Sequence, residues 1–309
     1  MNQIIKKLPL PIVGLMLALV ALGNLVQSYG EIYRNIFGVL SAIILILVLI
    51  KIVKYSNGVN EALDNPVVAS VFPTFSMGVM LLATYLKPLS SSIAFGMWTI
   101  GLVLHVALMI SFTRKYVFDF NIKKVFPSWF IVYVGIAIGA ITAPAFDKAN
   151  IGQILFWFGF ISYLVLLPIV LRRVYVVKDM AEPTLPTIII FAAPAALCLA
   201  GYMNSFAEKN MIIVYLLLAL SQLFYLFALT QLPKLLKLKF YPAYSAFTFP
   251  MVISAVSLKL TNGFLTKSEQ PIAFLKHLVK FEEIVAVAIV LYVMIRYISF
   301  LLAKPQTAK

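Results

Sequence analysis

The sequence predicts an all-α integral membrane protein, with ten transmembrane helices arranged as five parallel helical-hairpin repeats about one axis. Three observations predict it. Of 309 residues, 62% are hydrophobic and only 12% are charged, too little charge to clothe a soluble domain of this size. Ten apolar runs of spanning length follow one another with short linkers. A proline, followed by a second helix weakener, recurs in every other run.

In order, the runs cover roughly 9–29, 34–53, 67–86, 90–113, 127–146, 150–177, 185–205, 209–232, 241–259 and 271–303. The first follows Lys6 and Lys7 and resembles a signal peptide. It lacks a small-residue cleavage site and nine similar runs follow, so it reads as a retained span. Linkers such as YSNGVNEALDN (55–65) and KYVFDFNIKK (115–124) are short. The chain is expected to form a single transmembrane domain, 1–309, with no soluble domain. Of the 25 Lys and Arg residues, 17 fall on the side that holds the N-terminus, the loops after even spans and the C-terminus, Lys304 and Lys309 among them. That side is expected to be cytoplasmic, in a plasma membrane or a bacterial inner membrane. The formal charge of +14 is therefore membrane topology, and no nucleic-acid partner is expected. One cysteine, Cys198, excludes an internal disulfide framework. Nothing has metal-ligand spacing, so neither metal nor cofactor is expected.

The odd spans open with Pro9, Pro66, Pro127, Pro186 and Pro242. Each then meets a weakener five to eight residues later: Gly14, Pro73, Gly135, Pro194 and Pro250. Successive separations in the second set are 59, 62, 59 and 56 residues. An opening proline is harmless because its missing N–H has no intrahelical partner, whereas one inside the span costs backbone bonding. A two-span unit returns the chain to its starting side, so the five copies point the same way, about an axis along the membrane normal. One helix of each hairpin then lies inside. The odd spans fit that position, since they carry the breaks and hold no Lys, Arg, Asp or Glu between their ends. Five inner helices leave a hole on the axis, and the fold class thereby includes a central pore.

The ninth span, FYPAYSAFTFPMVISAVSLKL (240–260), shows the plan most clearly. It is uncharged until Lys259, and Pro250 near its middle predicts that the helix kinks or opens there. In lipid such a break is tolerated only where protein or a water-filled cavity satisfies the freed backbone groups. Phe249 stands directly before it, as either a plug in a narrow passage or one packed ring among 24 phenylalanines. Phe72 precedes Pro73 at the equivalent place in the third span and offers a second part of the constriction. The other repeats have Val13, Val134 and Ala193 there. The breaks also have a structural reading, since Gly135 and Gly139 form a small-xxx-small packing pair. Pro168 predicts a further break, in the sixth span.

Intramembrane ionisable groups are candidates for function. His105, midway along the fourth span, reads as a satisfied interhelical histidine or a subunit-contact group ahead of an ion ligand. Glu282 and Glu283 start the last helix, with Lys276 and Lys280 as helical neighbours, and read as interfacial pairs ahead of a proton relay. Arg172 and Arg173 close the sixth span and are expected to snorkel to the interface. No nucleophile–base pair is present, so an enzyme is not expected.

TFPM (248–251), FAAPAA (191–196), YVGIAIGA (133–140) and LPLPIVG (8–14) resemble the family of bacterial TehA. That family also includes the plant guard-cell slow anion channels and the fungal malate and sulfite transporters, grouped as tellurite-resistance/dicarboxylate transporters. The resemblance implies a homotrimer in which each protomer has its own pore, lined by five kinked inner helices. It implies a gating phenylalanine immediately before the ninth-helix break, here Phe249, and a glycine at the first break, matching Gly14. It also implies anions as the permeant species. The inner spans hold no carboxylate of the kind a cation pore places along its path. The expected function is thus an anion channel or facilitator for small monovalent anions, plugged by phenylalanine. The alternative is a proton-coupled exporter of an oxyanion, such as tellurite or sulfite, or of a small dicarboxylate such as malate. Coupling would need a protonatable group, and His105, Glu282 and Glu283 are the candidates. Expected partners are inorganic or small organic anions, membrane lipid and two further copies of the chain.

Overall fold

The computed structural model describes residues 2–303, so Lys304 and Lys309 of the basic-residue count lie outside the described residues. Ten helical spans are long and apolar enough to cross a membrane: α1 (Ile12–Tyr29), α2 (Glu31–Lys54), α3 (Pro66–Leu86), α4 (Ser91–Val117), α5 (Trp129–Phe146), α6 (Ala149–Val177), α7 (Glu182–Ser205), α8 (Met211–Leu235), α9 (Pro242–Lys267) and α10 (Leu275–Leu302). Nearly all their ends agree with the sequence ranges to within a helical turn. The exception is α9, which runs on to Lys267 where the hydropathy pattern ended it at 259.

Burial alternates along the chain as the five-hairpin plan requires. Between 72 and 83% of the apolar stretch of each odd span is buried, against 22 to 39% for each even span. The odd spans close a ring, α1 packing on α3, α3 on α5, α5 on α7, α7 on α9 and α9 back on α1. Each even span lies outside, in the groove between its own hairpin partner and the next odd span, α10 closing the circuit on α1. The ring needs close helix approach. Where α7 crosses α5, a Cβ on Gly201 would meet the Ala140 methyl at 3.0 Å and the Ala137 carbonyl oxygen at 3.4 Å.

The odd spans are each built from more than one helical segment, and this changes how their prolines act. In α9 a 3-10 segment, Pro242–Phe247, leads into an α-helix, Thr248–Lys267. In α7 the 3-10 segment Glu182–Ala192 leads into Ala193–Ser205. In α3, Pro66–Val71 and Thr74–Leu86 flank the break at Pro73, and α5 has its 3-10 turn at Val134–Ala137, around Gly135. In α1 the α-helix begins at Ile12, after a turn through Pro9 and Pro11. Pro250 and Pro194 therefore sit in the first turn of a new helical segment, where no intrahelical acceptor awaits their N–H. They start a helix rather than kink one, so of the two forms expected at Pro250, a kink or an opening, the backbone takes the second. Pro186 likewise lies within the 3-10 segment of α7, which opens four residues earlier at Glu182.

Hydroxyls at these junctions donate to carbonyls of the preceding turn. Thr74 Oγ1 donates to the Val71 carbonyl at 2.8 Å, Ser76 Oγ to Pro73 at 2.7 Å, and Thr248 Oγ1 to Ser245 at 2.7 Å. This is the internal satisfaction that an irregular backbone requires at membrane depth.

Two outer-helix expectations are corrected. Pro168 does not break α6, because the α-helix continues through it to Leu171. Pro168 lies on the exposed outer face of that helix. Arg173 does not snorkel. It is 2% exposed, and its guanidinium donates to the carbonyls of Lys178, Asp179 and Lys123, tying two linkers together. Arg172 beside it is exposed.

Candidate functional site

Two cavities lie along the axis of the inner ring, and Phe249 lines both. The smaller, about 40 Å³, sits at the level of the breaks. Gly14, Gly135, Pro194 and Pro250 all line it, so four of the five break positions converge there. The fifth, Pro73, contributes through its neighbours Val71 and Thr74. The remaining lining is almost entirely apolar, with Phe130, Ile190 and Leu197 among it. Ser245 is the exception: its hydroxyl is buried and has no hydrogen-bond partner. It faces Gly14 so closely that a Cβ there would lie 3.0 Å from Ser245 Cβ and Oγ.

Phe72 is not among the lining residues. Its ring is buried and stacks on Phe75, with centroids 5.7 Å apart and planes 2° from parallel. The structure thus brings Phe249 to the axis and leaves Phe72 packed within α3.

The larger cavity, about 610 Å³, occupies the halves of the inner spans away from the two termini. Asn24, Thr84, Thr142 and Asn204 line it, together with Lys209, Lys259 and Lys267, and no carboxylate is present in its lining. Thr142 is held in place by a hydrogen bond from Trp98 Nε1 at 2.8 Å. Burial holds the pKa of Lys209, in the linker between α7 and α8, below the ordinary lysine value. The lysines correct the expectation of inner spans without charge, because the extension of α9 places Lys259 inside a span.

A family model described as voltage-dependent anion channel (SLAC1) matches residues 12–298, from the first residue of α1 into the last turns of α10. The chain belongs to that family. No curated protein matches it. As a voltage-dependent anion channel family member it is a multi-pass membrane protein of the anion channel and transporter kind.

In this member of the voltage-dependent anion channel family, the ionisable candidates fall at three separate places. Glu283 pairs with Lys259 rather than with Lys276 or Lys280. Lys259 Nζ lies 2.6 Å from Glu283 Oε1 and also donates to the Leu25 carbonyl at 2.9 Å and to Ser28 Oγ at 2.8 Å. Tyr29 donates to Glu283 Oε2 at 2.5 Å, so the cluster fastens α9 to α10 and to the end of α1. His105 is fully buried. Its Nε2 faces the Val132 carbonyl at 3.2 Å and must be the donor there, while Nδ1 lies 2.9 Å from Ser76 Oγ, whose single proton is shared with the Pro73 carbonyl. A Cβ on Gly135 would lie 3.1 Å from His105 Cε1. His105 thus lies between helices with both ring nitrogens at hydrogen-bonding distance, wedged behind the breaks of α3 and α5. Glu282 is also fully buried, on the inward face of α10 and outside the lining of both cavities.

Proposed function

We propose that this protein is a gated anion channel in which small monovalent anions pass along the axis of the odd-span ring and Phe249 is the plug. The observation that carries the reading is the position of Phe249, the residue shared by a narrow apolar cavity and a wide one lined by three lysines and no carboxylate. An apolar ring at a narrow, uncharged point excludes water and ions until it moves aside. The lysines of the wide cavity raise the local anion concentration and oppose cations. The α-helical segments of α1, α3, α7 and α9 begin around the narrow cavity, and the N-terminal ends of their dipoles favour negative charge.

With no fixed charge in the narrow part, an anion is held weakly there and leaves readily. Selectivity then follows the cost of shedding water, so nitrate passes more easily than chloride. Gly14, Gly135, Pro194 and Pro250 shape the conduit, Pro73 sets the break in α3, and the Ser245 hydroxyl is a donor within reach of the passing ion. The excess of basic residues on one side supports cytoplasmic termini and a plasma membrane or bacterial inner membrane location. The resemblance to TehA and the slow anion channels supports a homotrimer with one passage per protomer.

Reversal potentials of the Phe249→Ala protein reconstituted in planar bilayers under a potassium chloride gradient test this reading. A potential near that of chloride, shifting further when nitrate replaces chloride, is expected. A potential near that of potassium overturns it.

A further inference from the structure

Behind α9, away from the axial cavities, a second polar group is buried at membrane depth. Both carboxylate oxygens of Glu282 lack a hydrogen-bond partner. The polar neighbours of that carboxylate are Ser254 of α9 and Gln222 of α8, and Tyr225 of α8 lies within reach of its charge. Ser254 Oγ, Gln222 Nε2 and the Tyr225 hydroxyl are likewise buried without partners. Five orphaned polar atoms on three helices thus gather at one place. Elsewhere in the inner ring the hydroxyls of Thr74, Ser76 and Thr248 all have acceptors, and Ser245 Oγ stands alone without one.

No cation is available to neutralise Glu282. Lys259 of α9 is held by Glu283, Lys280 of α10 lies over the Tyr29 ring, and α1 carries no charged residue. Tyr225 is the titratable group that α8 presents there. A bare carboxylate in such a setting is costly, whereas a carboxylic acid can donate its own proton to Ser254. The three donors around it, the Ser254 and Tyr225 hydroxyls and the Gln222 amide, would cradle the ionised form after small rotations. Both charge states therefore have a way to be satisfied, and that is what a working proton site requires.

We propose that Glu282, with Ser254, Gln222 and Tyr225, forms a proton-binding site that modulates anion passage from behind the gate-bearing helix. Ser254 lies one helical turn beyond Pro250. Protonated, the site is electrically silent. Ionised, it sets a negative charge behind the wall of the passage and repels anions through a medium of low dielectric. Anion conductance therefore falls as pH rises through the titration of Glu282. The second half of this inference rests on the anion-channel reading, and the first half does not.

The test combines infrared difference spectra with conductance of reconstituted protein. On raising the pH, a protonated-carboxyl band should disappear from the wild-type spectrum and be missing in Glu282→Gln. In a Phe249→Ala background the anion current should drop severalfold over the same pH range and become flat when Glu282→Gln is added. If Glu282→Gln does not fold, Tyr225→Phe and Ser254→Ala serve instead. Each removes a donor to the ionised form and should move the titration to higher pH. A carboxyl band identical in wild type and Glu282→Gln overturns the proton site. A titrating band with pH-independent anion current overturns its link to passage, and absence of anion current at every pH overturns the channel reading while leaving the proton site standing.

Discussion

Lys259 Nζ and Glu283 Oε1 are 2.6 Å apart, a salt bridge that joins the helix carrying Phe249 to the outer helix beside it. The Glu283 side chain is 7% exposed and that of Lys259 33%, so the pair is only partly screened by water. Removing one partner leaves the other charge poorly solvated. Glu283→Gln and Lys259→Met should each lower stability by about 2 kcal/mol, read as a drop in thermal midpoint in detergent. The double variant should recover part of the loss, and strict additivity of the two effects would show that the pair is not coupled.

Gly14 faces Ser245 across the narrow cavity, with Cβ contacts of 3.0 Å waiting for any larger residue. Gly14→Val adds carbons to a space of about 40 Å³. It should abolish anion current in a Phe249→Ala background and cost about 1–3 kcal/mol through overpacking. Current that survives unchanged would place the passage elsewhere.

His105 has both ring nitrogens engaged, with Val132 and Ser76. His105→Leu should destabilise the protein by about 1–3 kcal/mol by orphaning those groups. It should leave the pH dependence of anion flux where it was. A flux profile that changes with this variant would make His105 a coupling group instead.

Lys209 and Lys267 line the wide cavity. Replacing both with Gln should reduce anion conductance several-fold at low ionic strength and much less at high salt, where screening already hides the charges. An equal reduction at both salt concentrations would point to a direct ligand role or to misfolding.

Much of this fold was legible in the chain. Hydropathy marked the ten spans, and the recurrence of Pro73, Pro194 and Pro250 with Gly14 and Gly135 foretold which helices face the axis. Those residues are where a helical segment is interrupted or begins, and a repeated architecture repeats its junctions. How the junctions are made was not legible, because a proline that kinks one helix and a proline that starts the next look alike in sequence. Lys259 was missed for a related reason. A charge at the end of an apolar run reads as a boundary, and only the fold shows two further helical turns beyond it. The period of α9 did contain the signal, since Phe249, Ile253, Val256, Leu260 and Gly263 continue one face past the lysine. The partners of Glu283 and Glu282 come from α9, α8 and Tyr29, and no local spacing could have named them.

The most direct measurement is the anion conductance of reconstituted wild type against Phe249→Ala, with folding of both verified by their elution and thermal midpoints. A nearly silent wild type is expected, beside an alanine form that conducts chloride and nitrate but not potassium. Two folded proteins that are equally silent, or an alanine form that passes potassium, would contradict it.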